Sequence, residues 1–194
     1  MFDWLFDFAE RKKTININGC RVISPFEYFS KIDIREINIG PEVLAIKESA
    51  FESCTSLETI NIHDNIHLIE VKAFYNTKNL TLLNIASTSL NDLAYGNQVF
   101  TNAGKINGMQ VYVVYGVKSI PNNMFFGTSD VESLANITTL SIPTSLERIG
   151  ENAFSDIMIN EVDYRGTKED FNRLQIGENG LSYKNIKFGG NNNA

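Results

Sequence analysis

The stretch Ala50-Phe51-Glu52-Ser53-Cys54-Thr55-Ser56-Leu57-Glu58-Thr59-Ile60-Asn61-Ile62 returns in outline 23 residues later as Ala73-Phe74, Leu80, Leu83 and Ile85. A unit this short cannot bury its own apolar face, so it is stable only when stacked on its neighbours. The chain is therefore expected to form a solenoid with a long exposed surface, and such surfaces bind other molecules.

Within each unit the apolar residues keep one internal spacing. Ile34, Ile37, Ile39, Val43, Ile46 and Phe51 form one set, and Leu57, Ile60, Ile62, Ile66, Ile69 and Phe74 the next. Ile137, Leu140, Ile142, Leu146, Ile149 and Phe154 form a later one, and Val111, Val113, Val117, Ile120 and Phe125 a middle unit. The step of two marks a short strand with alternate side chains inward. Six strands are expected, near residues 36–39, 59–62, 82–85, 110–113, 139–142 and 161–164, with an edge strand at Ile15 to Ile17. The aromatic that ends each set, Phe51, Phe74, Phe100, Phe125 and Phe154, should stack as an interior spine away from the sheet. Unequal gaps between these rings imply insertions in the middle and late repeats, expected as surface loops.

Both ends need covers, because a bare terminal repeat exposes core and strand edge. In a helix, Phe2, Leu5, Phe6 and Ala9 share one face opposite Asp3, Asp7 and Glu10, which suits an amino-terminal cap. Thr167-Lys168-Glu169-Asp170 has the form of a capping box before a short helix, from which Phe171 and Leu174 could cover the last strand. A single domain is expected: cap 1–33, repeats 34–164, cap 165–188 and a disordered tail 189–194.

With 43% hydrophobic and 21% charged residues the chain is ordinary globular material. A net charge of −6 argues against nucleic acid, which demands clustered Lys and Arg. The acids inside the apolar amino-terminal run, with positive charge after it, give the wrong order for an export signal. No stretch is long and uncharged enough to span a bilayer, so no membrane insertion is expected. Cys20 and Cys54 form neither a disulfide framework nor a metal motif; Cys54 should pack as a small buried apolar group.

These units resemble the BspA-type leucine-rich repeats, which read approximately I-P-x-S-V-x-x-I-G-x-x-A-F-x-x-C-x-x-L. Ile142-Pro143-Thr144-Ser145-Leu146-Glu147-Arg148-Ile149-Gly150-Glu151-Asn152-Ala153-Phe154 is the clearest match, and Ala50-Phe51 with Cys54 and Leu57 a second. Val162-Asp163-Tyr164-Arg165-Gly166-Thr167 through Phe171 is similar to the closing unit of such arrays. The resemblance covers residues 34 to 188. It implies a right-handed leucine-rich-repeat solenoid of the α/β class, β-rich, with six or so short parallel strands and short helical or irregular connections. It also implies a non-catalytic protein of the cell surface or secreted, attached to host or matrix proteins. Thr77 departs from the pattern at the repeat cysteine.

On the solvent side of the sheet the residues fall into columns. The central one is Asn38, Asn61, Asn84, Tyr112, Ser141 and Asp163. Leu82, Ala86, Tyr112 and Val114 gather on two neighbouring strands, and an exposed apolar cluster beside an aromatic is a binding anchor. Leu82, Asn84, Ala86, Tyr112 and Val114 are thus the candidate contact residues for a protein partner. Insertions near Tyr95 and Tyr115 either flank this patch or fold over it. No cofactor is expected, and no catalytic set is visible. His63 and His67 lack a third ligand and read as surface turn residues rather than a metal site, which leaves a metal-dependent hydrolase the weakest alternative. An intracellular protein-interaction scaffold is the other, with a cytoplasmic location. The chain is expected to be a monomer.

Overall fold

The computed structural model describes residues 13–94, 96–126 and 134–189. Eight strands form one parallel sheet in chain order: β1 (Lys13–Ile17), β3 (Ile34–Ile39), β5 (Thr59–Ile62), β7 (Leu82–Ile85), β8 (Met109–Val113), β10 (Ile137–Ile142), β12 (Ile159–Tyr164) and β14 (Tyr183–Phe188). Two-residue strands build two further parallel sheets of three: β2 (Val22–Ile23), β4 (Ala45–Ile46) and β6 (Leu68–Ile69), then β9 (Ser119–Ile120), β11 (Arg148–Ile149) and β13 (Gln175–Ile176). Among the described residues there is one helix, α1 (Lys168–Phe171). Parallel neighbours joined by a full turn of chain make a β-solenoid, as the repeat spacing implies.

The step of two is visible in the burial of each strand. In β5 and β7, Ile60, Ile62, Leu83 and Ile85 are buried, while Thr59, Asn61, Leu82 and Asn84 are half-exposed. Every expected strand is present. One more, β14, lies beyond them and pairs with β12 from Ile159↔Tyr183 to Tyr164↔Phe188. Its signal in the sequence is faint because Ile186 is its only partly buried residue.

The aromatic spine forms as a continuous stack and begins one turn earlier than expected, at Tyr28. Ring centroids from Tyr28 to Phe51, Phe74 and Phe100 lie 5.2, 5.3 and 5.4 Å apart, with the planes within 9° of parallel. Phe100 and Phe125 tilt by 31°, and Phe125 and Phe154 return to 15°. All five phenylalanines are buried. Left-handed residues flank the spine at regular positions: Phe26 and Ser30 around Tyr28, Ser49 and Ser53 around Phe51, Lys72 and Asn76 around Phe74, Gln98 and Asn102 around Phe100. This alternation aims every second amide at the following turn, so that Ser49, Phe51 and Ser53 donate to the carbonyls of Val71, Ala73 and Tyr75. Backbone groups buried beside the spine are thereby satisfied without a helix.

Cys54 is fully buried, its Sγ 3.1 Å from the Tyr28 carbonyl oxygen, and both cysteines are free. One turn on, Thr77 fills the same place and donates its hydroxyl to the Phe74 carbonyl at 2.9 Å. The insertion after β7 differs from the surface loop expected of it. The Asn91 N–H donates to the His67 carbonyl, the Leu93 N–H to that of Asn122, and Leu93 is buried. The segment takes the place of a short strand between β6 and β9, because the amide and carbonyl groups exposed there need partners. The proposed amino-terminal helix falls on residues 1–12 and most of the proposed tail on 190–194, outside the described residues.

Thr167 caps α1 with the reciprocal geometry read from the sequence: its hydroxyl accepts from the Asp170 N–H, and the Asp170 carboxylate accepts from the Thr167 N–H. Phe171 is buried and meets Tyr164 edge to face at 5.3 Å. The chain then makes a further turn through β13 to β14.

Candidate functional site

Strand register fixes which side chains meet on the solvent face of the sheet. Leu82 stands beside Gln110 and Asn84 beside Tyr112, and Ile85 beside Val113 carries the same register to Ala86 and Val114. The five candidate residues therefore occupy two adjacent strands, two layers wide and three positions long. Val114 is 42% exposed, while Leu82, Asn84, Ala86 and Tyr112 are half-buried by their neighbours.

The surroundings give this patch its edges. On the amino-terminal side the central column holds two amide pairs, in which Asn38 donates to Asn16 at 3.0 Å and Asn84 donates to Asn61 at 2.7 Å. Neighbouring amides hold one another in place and present a flat polar surface. On the other side the column continues through Ser141 to Asp163, which are in register with each other and with Tyr112. Ser141 is only 4% exposed although it is on the outer face. Past it the face is charged: Arg165 pairs with Asp163 at 3.3 Å and Lys187 with Glu161 at 2.7 Å. An apolar and aromatic centre is thus framed by amides on one flank and ion pairs on the other.

Tyr112 lies along its own strand, its hydroxyl donating to Gln110 Oε1 at 2.9 Å. That bond fixes the ring across the patch at little entropic cost, which suits an anchor. The described part of the insertion after β7 packs against the short strands at His67 and Asn122, not over this face. Tyr115, at the turn after β8, is 78% exposed. Tyr95 lies outside the described residues.

The histidines stand apart from this patch. His63 Nδ1 accepts from the Asn65 N–H at 3.2 Å, lies 3.8 Å from an Asp64 carboxylate oxygen, and its Nε2 is buried without a hydrogen-bond partner. Among the described residues no group of three or more His, Cys, Asp and Glu side chains converges. Glu36 and Glu161 are five strands apart in the sheet. Among the described residues no helix is long and apolar enough to cross a membrane.

No curated protein matches the chain in sequence. Two solved structures resemble it. One is a leucine rich cell surface protein from Faecalibacterium prausnitzii A2-165, 15% identical with a TM-score of 0.37, matching 88% of this chain and 64% of that one. The other is a leucine-rich repeat protein from Bacteroides ovatus ATCC 8483, 16% identical with a TM-score of 0.37, matching 94% of this chain and 56% of that one. The chain therefore spans less than two thirds of the length of either. The BspA type leucine rich repeat region, in contrast, matches in six copies over residues 21–155 and 130–188. This chain belongs to the BspA-type leucine-rich repeat family.

Proposed function

We propose that this chain is a non-catalytic protein-binding module acting in adhesion at a cell surface, with Leu82, Asn84, Ala86, Tyr112 and Val114 as the centre of its contact face. The observation that supports this most is the apolar cluster at β7 and β8, with Val114 exposed beside it and Tyr115 open to solvent at the adjoining turn, between amide pairs on one flank and ion pairs on the other. A monomer rarely leaves an aromatic-centred patch on a rigid sheet without a use for it. Attachment to host or matrix proteins accords with the habit of the family.

Tyr112→Asp tests the reading. The substitution places a charge at the centre of the patch but removes only a surface hydrogen bond to Gln110. Capture of immobilised extracellular-matrix proteins by the wild-type chain should be lost in the variant, with thermal unfolding within a few degrees of wild type. Equal capture by both proteins would overturn the assignment of the face.

A further inference from the structure

A cleft of about 460 Å³ opens toward the carboxy-terminal end of the solenoid, lined by residues at and after the ends of β10 and β12, the two strands beyond β8. Its apolar floor is made by Leu146, Tyr164 and Leu174. Tyr164 is only 2% exposed, its ring held edge-on by Phe171 at 5.3 Å and Phe188 at 6.3 Å. Gly166 lets the backbone cross that ring closely, since a Cβ there would come within 2.7 Å of a ring carbon. Yet the Tyr164 hydroxyl has no hydrogen-bond partner among the described residues. A phenol whose ring is buried but whose oxygen opens into a cleft is free to bond to what enters.

Around this floor the polar groups are already balanced in charge. Asp170 pairs with Arg173 at 3.3 Å, and Glu147 with Lys118 at 2.6 Å. Burial raises the phenol's pKa and Asp170 adds to the rise, while Arg173 opposes it; both charged residues line the same cleft. An anion entering here would meet Glu147 and Asp170, and a cation would meet Arg173. A neutral ligand with vicinal hydroxyls avoids both penalties. It can lay its C–H face on Leu146 and Leu174 and bond to the Asp170–Arg173 pair and Gln175 without separating any ion pair.

We propose that this cleft binds a neutral saccharide unit, with the Tyr164 hydroxyl as a hydrogen-bonding group at its floor and Asp170 and Arg173 as the polar rim. The site does not depend on the sheet face and would stand if that reading failed. The test is a two-dimensional NMR titration of the full chain with glucose, galactose, mannose and N-acetylglucosamine. At least one should give saturable shifts at Thr144, Tyr164 and Leu174. Tyr164→Phe should weaken that sugar about fivefold, the cost of one hydrogen bond, with an otherwise unchanged spectrum. Arg173→Gln, a change at an exposed position, should weaken it as well. Absence of saturable shifts with all four sugars, shifts confined to another surface, or a Tyr164→Phe protein that binds as tightly as wild type would each overturn the proposal. Preferential binding of glucuronate or glucosamine would overturn the neutral class.

Discussion

Phe51 and Phe74 stack with their ring centroids 5.3 Å apart and their planes within 2° of parallel, although 23 residues separate them. Both are fully buried. Each turn of the solenoid thus contributes one ring to a column whose members support their neighbours above and below. A turn that loses its ring weakens two interfaces.

Phe74→Ala should accordingly be among the most damaging single changes, costing about 3–5 kcal/mol of stability. Phe74→Leu, which keeps most of the volume, should cost less. Urea unfolding of the three proteins measures both. A loss under about 1 kcal/mol for the alanine variant would show that the stack is not the main support of the fold.

Gln98 has φ of 57°, a left-handed conformation that costs an ordinary side chain about 1–2 kcal/mol. At the equivalent places before Phe125 and Phe154 the chain uses Asn123 and Asn152. Gln98→Asn should raise stability by about 0.5–1 kcal/mol, and Gln98→Val should lower it by more. Thermal unfolding distinguishes the two.

Burial pushes the Cys54 thiol up to about 11, against a weaker opposing backbone hydrogen bond at Lys31. In the unfolded chain the thiol loses its proton near its ordinary value of about 8.5, whereas the folded state retains it. Stability from this group is whole below that pH and declines as pH rises toward 11, by about 3 kcal/mol in all. Cys54→Ala should flatten the decline between pH 9 and 10 relative to wild type. In the native protein at pH 8, alkylation should reach Cys20 and spare Cys54, as mass spectrometry can show.

The Asp170 carboxyl is held below the usual carboxylate range, first by the Thr167 hydroxyl and then by its backbone N–H. A depressed carboxyl stabilises the fold at neutral pH and ceases to do so as pH falls through its lowered value. Thr167→Ala should cost about 1 kcal/mol at neutral pH and make acid unfolding less steep. Unfolding curves at neutral and acid pH check both effects.

Much of this architecture is legible in the residues. The step of two from Ile60 to Ile62 and from Leu83 to Ile85 places the strands, and counting outward from them places Asn84 beside Tyr112. Tyr28 carried the same signal, lying 23 residues before Phe51, but a tyrosine among the exposed Phe26 and Phe29 does not announce itself as core. β14 escaped because four of its six residues are Tyr183, Lys184, Asn185 and Lys187, and Ile186 is only partly buried. The short strands were invisible as strands, since two residues cannot display a period. For the cleft, Tyr164 could be read as an inward strand residue. That it shares an opening with Arg173 and Asp170 depends on the path of the chain through α1, which spacing alone does not encode.

The adhesive reading of the sheet face has a direct test in a matched pair of substitutions. Val114 and Val22 are each 42% exposed, but Val114 lies in the patch on β8 and Val22 on the short strand β2. Binding of Val114→Lys and Val22→Lys to whichever immobilised matrix protein captures the wild type should be compared by biolayer interferometry. The expected result is a loss of at least tenfold in affinity for Val114→Lys and none for Val22→Lys. Equal affinities for the two variants would contradict the assignment of the β7–β8 face as the contact surface.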